Sequence, residues 1–550
     1  MIRSRHATRT FGLILVVSGL SGGAAFAQPS CDALATLTIG TATITSSKLV
    51  PEGPYVPPAR PGAPAAPTAA PQPILPAHCD VRGTIRPTSD SEIKFAMWMP
   101  VANWNGKYRQ EGNGGWAGVI PFQAMVDPLR RGYVTAGTDD GHEGGGADWA
   151  VGHPEKLIDF GHRAVHEVNV HARLIIDRLY GRQPSRSYFM GCSDGGREGL
   201  MEAQRYPADF DGMVLGAPAN RWSHLFTTFV WNELAQLETP ESRIPAEKLP
   251  LLQGAAIAAC DKKDGVDDGL IEDPRVCRFD PAALLCKGAD SPQCLLPAQV
   301  EALQKIYGGP RNPRTGEQIY PGFPPGTEAA NWPNWISAKD PTQTIQSVLG
   351  NPYYGQAVLE NPKWDVRTMD FDKDFALGEM KAGPILNSSS PDLRSFRARN
   401  GKIIQYHGWG DSAIPAYAST EYYEAVRTFM STYPDARRQG TGRIEDFYRL
   451  FLVPGMAHCS GGIGPHAFGT RGAVSDATMN DPSRDIFAAL ERWVEQGTAP
   501  EQFIGSGVDG RTPPKPITRP ICLYPNVAKY KGSGDPNDAG SFTCAPPDAR

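Results

Sequence analysis

A short apolar run, Ser187 to Met190, leads into Gly191-Cys192-Ser193-Asp194-Gly195, and a helical stretch follows at once, from Asp194 to Arg205. A strand that turns directly into a helix around a serine is compatible with few folds. Side chains at positions 191 and 195 would clash in so tight a turn, and the serine oxygen is left exposed at the C-terminal edge of a sheet. Taken alone, Gly-x-Ser-x-Gly also describes an ordinary strand-to-helix turn, so the rest of the chain has to decide what the serine does.

Strand and helix patterns alternate on both sides of this turn. Leu37 to Thr45, Ile93 to Met99, Gly132 to Thr138, Gly401 to Tyr406 and Tyr448 to Val453 read as strands, whereas His162 to Tyr180, Thr420 to Tyr433 and Asp485 to Glu495 read as helices. That alternation predicts an α/β fold, a mostly parallel sheet covered by helices. Between about Arg221 and Ile385 it lapses into an irregular, proline-rich stretch carrying Trp222, Trp332, Trp335, Tyr353, Tyr354 and Trp364, which reads as an insertion. The architecture expected is therefore an α/β-hydrolase fold with a large inserted lid domain. Its parts are a signal peptide over 1–27, an N-terminal segment over 28–80 with a Pro/Ala-rich loop, and a core in two halves, 81–220 and 386–505. The lid spans 221–385, and 506–550 is a loop-rich, disulfide-stapled C-terminal tail.

The signal reading rests on Arg3, Arg5 and Arg9 ahead of an apolar run from Phe11 to Leu20, with Ala25-Phe26-Ala27 as a cleavage site. Its removal takes three arginines and no acid, so a formal charge of -5 becomes -8. Dispersed charge of that size suggests no nucleic-acid or membrane partner, and a small substrate fits better. No later apolar run approaches the roughly 20 residues of a membrane span, and a secreted or periplasmic location is expected. All ten cysteines lie in the mature part, and an even count in an oxidising compartment argues for five disulfides. Neighbours in sequence suggest Cys31 with Cys79, Cys260 with Cys277, Cys286 with Cys294, and Cys522 with Cys544, which leaves Cys192 for Cys459. Other pairings stay open on spacing alone.

In this fold the nucleophile, acid and base follow in that chain order. The candidates are Ser193, then Asp411 in Tyr406-His407-Gly408-Trp409-Gly410-Asp411, then His458 in Pro454-Gly455-Met456-Ala457-His458. His458 would take the serine proton and return it to the leaving group, with Asp411 fixing the imidazole tautomer. His407 is a rival base and Asp194 a rival acid. The backbone N–H of Asp194 is the expected half of an oxyanion hole, and Gly112-Asn113-Gly114-Gly115-Trp116 supplies the other half, Gly115 first and Gly114 next.

Taken together, Cys192-Ser193, Asp411 and His458-Cys459 resemble the tannase and feruloyl esterase family, which includes mono(hydroxyethyl) terephthalate hydrolases. The resemblance covers nearly all of the mature chain and implies a bonded Cys192–Cys459 pair beside a Ser-His-Asp triad. It also implies a calcium ion in the lid, held by the carboxylates of Asp261, Asp264 and Asp268 and the carbonyls of Val266 and Leu270. Without the family, that run reads as a solvated acidic loop. Hydrolysis of aromatic esters is the function implied, hydroxycinnamate first, gallate second and terephthalate monoester third. The last needs a lid cation, and Gln343 to Glu360 contains no Arg or Lys, although Arg367 and Lys373 follow. A serine peptidase and a silent hydrolase-like binding protein remain the readings from other classes.

Overall fold

The computed structural model describes Met1 and residues 30–58, 72–432, 443–470 and 477–547. Apart from Met1, the expected signal segment lies outside these residues, as does the middle of the Pro/Ala-rich stretch. Ten strands form one sheet: β1 (Thr38–Ile39), β2 (Ala42–Val50), β3 (His78–Ile85), β4 (Ile93–Pro100), β5 (Lys107–Glu111), β6 (Val134–Thr138), β7 (Arg186–Cys192), β8 (Gly212–Gly216), β9 (Lys402–Gly408) and β10 (Tyr448–Val453). They lie in the order β1-β2-β3-β4-β6-β5-β7-β8-β9-β10. Pairing is antiparallel from β1 through β4 to β6 and parallel from β6 to β10.

The central strands are apolar runs because both of their faces are covered. Phe189, Met213, Leu215, Ile403 and Leu450 point into a core shared with α1 (Ala164–Tyr180). Their neighbours Tyr188, Val214, Ile404 and Phe451 point the other way, onto Leu490 and Trp493 of the C-terminal helix Ile486–Gln496. The period of two along each strand thus splits the core into two layers. Residue 193 follows β7 directly and opens α2 (Asp194–Arg205).

Between α3 (Trp222–Leu237) and the short helix Gly383–Leu386 the chain adds no strand to the main sheet. It packs one cluster of its own and a second shared with the core, where Trp116 Nε1 donates to the Leu349 carbonyl of the insertion at 3.0 Å. Disulfides join Cys31 to Cys79, Cys192 to Cys459, Cys260 to Cys277, Cys286 to Cys294 and Cys522 to Cys544.

Three readings need correction. Leu37 to Thr45 is a hairpin rather than one strand, because the chain reverses between β1 and β2 at Gly40, whose φ is +58°. The tail is stranded rather than loop-rich: Gln502–Val508 pairs with Pro516–Cys522, so a boundary after residue 505 cuts a strand, and Val527–Tyr530 pairs with Phe542–Ala545. The central strand β5, Lys-Tyr-Arg-Gln-Glu, went unread because Arg109 and Glu111 are buried as an ion pair inside a charged network with Asp127, Arg131 and Asp485.

Candidate functional site

Ser193 sits at the turn with φ +66° and ψ −120°, a left-handed conformation that is rare and strained for a residue with a side chain. Surrounding hydrogen bonds hold it there. Ser193 N–H donates to the Gly216 carbonyl at 3.0 Å, and its own carbonyl accepts from Ala219 and Arg197. A Cβ on residue 191 would lie 2.5 Å from the Gly195 carbonyl oxygen, and one on residue 195 would lie 2.8 Å from that of Asn113. Both glycines are therefore required by the close packing of β7, α2 and the Gly112–Gly115 loop.

His458 lies on the loop after β10, and its Nδ1 is 2.8 Å from Asp411 Oδ2. Asp411 is buried and pre-oriented: its Oδ1 accepts from the N–H groups of Ala413 and Ile414 at 2.8 and 2.9 Å. Burial alone would raise its pKa. The positive field of His458 and the hydrogen bonds from both histidines outweigh that and hold the carboxyl well below the usual range, so it stays ionised.

His407 also reaches Asp411 Oδ2, at 3.2 Å, but it is fully buried and both ring nitrogens are engaged. Its Nε2 faces the Ile414 carbonyl at 3.0 Å as well, which makes Nε2 the protonated nitrogen, and Nδ1 then accepts from Ser419 Oγ at 2.7 Å. Such a ring orients the carboxylate and has no free nitrogen for a substrate. The other rival, Asp194, is buried and turned to Arg197, whose Nε donates to its Oδ1.

A cavity of about 420 Å³ is lined by Ser193, His458, Gly114 and Gly115 together. Its walls are Trp222, Leu225, Phe226 and Phe229 of α3, with Trp335 and Leu349 from later in the insertion. The Trp335 ring meets His458 edge-on, with centroids 5.3 Å apart. Among the described residues, no Lys, Arg, Asp or Glu lines this cavity. Tyr353 and Tyr354 are buried elsewhere in the insertion, while Arg367 and Lys373 are exposed and face Asp365 and Asp370. Sequence reading picked out Trp335 as one aromatic residue among several; its contact with His458 carried no local signal.

The Asp261–Leu270 loop packs against the tail, with Val266 beside Cys522, Ala528 and Phe542. Asp261 Oδ1 is buried without a hydrogen-bond partner among the described residues. Burial, then repulsion from neighbouring carboxylates, raises Asp261 to about 6 and Asp264 to about 7. Uncompensated negative charge of this kind suits a hard cation. The side-chain oxygens of Asp261, Asp264 and Asp268 do not converge within 4.8 Å of one another, however, and Asp268 is ion-paired to Arg519.

The family model described as tannase and feruloyl esterase matches residues 79–545. This chain belongs to that family. It is 40% identical over 538 residues to an uncharacterized esterase of Xanthomonas campestris pv. campestris, covering 94% of this chain and 92% of the relative. To the mono(2-hydroxyethyl) terephthalate hydrolase of Piscinibacter sakaiensis it is 33% identical over 88% of this chain and 87% of the relative. The crystal structure of feruloyl esterase B from Aspergillus oryzae superposes with a TM-score of 0.82 at 28% identity, covering 94% of this chain and all of that one. Membership of the tannase and feruloyl esterase family makes the chain a carboxylic ester hydrolase with an α/β fold. Among the described residues no helix is long and apolar enough to cross a membrane.

Proposed function

We propose that this chain is an exported serine esterase of the feruloyl esterase type, cleaving esters of flat aromatic acids through Ser193, His458 and Asp411. The observation that carries the substrate reading is the uncharged, aromatic-walled cavity onto which both Ser193 and His458 open. With Nδ1 engaged by Asp411, Nε2 of His458 takes the Ser193 proton as Oγ attacks the ester carbonyl. The N–H groups of Gly115 and Asp194 stabilise the oxyanion. The carbonyl re-forms as the C–O bond breaks, and the alcohol leaves with the proton from His458. Water repeats the sequence on the acyl-enzyme, releasing the acid and restoring Ser193.

A phenyl ring gains from stacking on Trp335, Trp222 or Phe226. A free carboxylate, as in a terephthalate monoester, would enter without a cation, and an unpaired charge in such a site costs several kcal/mol. Gallate would bury three hydroxyls against few polar groups. Hydroxycinnamate esters therefore rank first, gallate esters second and the terephthalate monoester third. The test is kcat/KM for methyl ferulate, methyl gallate and mono(2-hydroxyethyl) terephthalate: ferulate should lead by at least about tenfold, a difference of about 1.4 kcal/mol. Terephthalate monoester in first place would overturn the ranking.

Calcium at Asp261, Asp264 and Asp268, with the carbonyls of Val266 and Leu270, is the second part of the proposal. The partnerless Asp261 oxygen and the raised carboxyls support it. When bound, the ion supplies charge neutralisation that stiffens the insertion where it meets the tail; it takes no part in bond cleavage. Export to the periplasm or beyond is supported by the N-terminal signal pattern and the five disulfides.

A further inference from the structure

Three acidic side chains are buried under the Gly112–Gly115 loop: Asp194 and Glu198 of α2, and Asp140 from the loop after β6, at 1%, 3% and 1% exposure. One carboxyl oxygen from each lies within 4.8 Å of the other two. The cation among them, Arg197, is fully committed: Nε bonds Asp194, Nη1 the Gly161 carbonyl at 2.6 Å and Nη2 the Phe160 carbonyl at 3.0 Å. His142, which faces the Asp140 backbone, is kept neutral by burial and bonds the Trp116 carbonyl. The next acid along α2, Glu202, is raised well above the usual carboxylate range by burial and supplies no cation either.

Asp140 and Glu198 thus face each other with only the field of Arg197 nearby and, among the described residues, no hydrogen bond from a cation to either. Each gives one oxygen to Asn113: Nδ2 of Asn113 donates to Asp140 Oδ2 at 2.9 Å, and its backbone N–H donates to Glu198 Oε2 at 3.1 Å. The other oxygen of each, Asp140 Oδ1 and Glu198 Oε1, is buried with no hydrogen-bond partner among the described residues, as is Oδ2 of Asp194. Two ionised carboxylates cannot be held together in a dry site without heavy repulsion, whereas one proton between them removes the repulsion and satisfies both oxygens.

We propose that Asp140 and Glu198 share a single proton, and that this acid–carboxylate pair is a positioning device that clamps Asn113 and so aims the Gly114–Gly115 backbone at the reacting carbonyl. Burial raises both carboxyls, with repulsion from Glu198 added at Asp140 and repulsion from Asp194 added at Glu198, in keeping with a retained proton. Asn113 has four partners in all, since its Nδ2 also donates to the Thr138 carbonyl at 2.7 Å and Gly195 N–H donates to its own carbonyl at 3.0 Å, which locks the loop to the start of α2 beside Ser193. The inference rests on reading that loop as the oxyanion donor. Loss of the shared proton at alkaline pH leaves two repelling carboxylates under the loop, so turnover falls as pH rises.

The test is kcat and KM for methyl ferulate from about pH 5 to 10 on the full chain, its Glu198→Gln variant and its Glu198→Ala variant. Glutamine can accept from Asn113 N–H and donate to the Asp140 carboxylate, mimicking the protonated pair without the ability to lose a proton. Glu198→Ala should lower kcat at least about tenfold with KM changed less than about twofold. Glu198→Gln should recover kcat to within about threefold of wild type near pH 7 and move the alkaline fall upward by about one pH unit or more. A Gln variant as impaired as the Ala variant, or one that falls at the wild-type pH, overturns the proposal. If Glu198→Ala does not fold, the pH profile of Glu198→Gln decides alone. Failure of the esterase reading itself looks different, since the wild type would then not hydrolyse the ester at any pH.

Discussion

Removing the Cys192–Cys459 bond should damage stability and catalysis together, because its two halves are the residues next to Ser193 and His458. The bond closes a loop of 267 residues. In the chain-entropy picture a loop of that length corresponds to roughly 5 to 6 kcal/mol at 25 °C, and measured disulfides usually deliver about 2–5 kcal/mol. At about 2.1 cal/mol/K per residue, unfolding 550 residues has an entropy near 1.2 kcal/mol/K, so the melting temperature should drop by about 2–4 °C. The local consequence is larger. Cys459 holds a left-handed φ of +66° directly after His458, its carbonyl accepts from Tyr406 at 3.3 Å, and the two cysteine Cα atoms are 5.9 Å apart. Without the bond nothing covalent opposes relaxation of that backbone, and a displacement near 1 Å at a reacting group costs on the order of 10²-fold in rate. The Cys192→Ala, Cys459→Ala double variant, assayed by thermal melting and by kcat/KM for methyl ferulate, should lose between about tenfold and a hundredfold in kcat/KM. Activity within about twofold of wild type would refute the view that the bond sets the spacing of nucleophile and base.

Chelation with EDTA should lower the melting temperature by a few degrees and leave the activity of the still-folded enzyme nearly intact; an unchanged melting curve with no bound metal would remove the calcium assignment. Burial lowers His142 from 6.5 to about 4, so the folded state resists protonation there. The unfolded chain then binds more protons in this window, and stability is lost as pH falls from about 6.5 to about 4, by up to about 3 kcal/mol. Urea midpoints at pH 7 and about 4.5 should converge more closely in His142→Gln than in wild type, and equal pH sensitivity of the two proteins would contradict this.

The serine turn, the order of the candidate acid and base, and the two layers of helices were readable because each depends on local pattern: glycines at fixed offsets and apolar residues at periods of 2 or 3.6. β5 was not, since Arg109 is balanced by Glu111, Asp127 and, through Arg131, by Asp485, far away in sequence. Polar strands of this kind acquire their burial from partners that no window contains. The insertion shows the same limit. Its aromatic residues were visible, yet only the tertiary fold sends Trp335 to His458 while burying Tyr353 and Tyr354. Local pattern left His407 a rival base and Asn113 one residue of a glycine-rich loop for a related reason, because the hydrogen bonds that join them to Asp411, Asp140 and Glu198 come from the tertiary fold.

The role of Ser193 as the nucleophile of a carboxylic ester hydrolase is decided by the rate of methyl ferulate hydrolysis by Ser193→Ala, set against wild type. Loss of roughly 10⁴-fold or more in kcat is the outcome predicted for a residue that forms the acyl-enzyme, and near wild-type turnover by the alanine variant would contradict it.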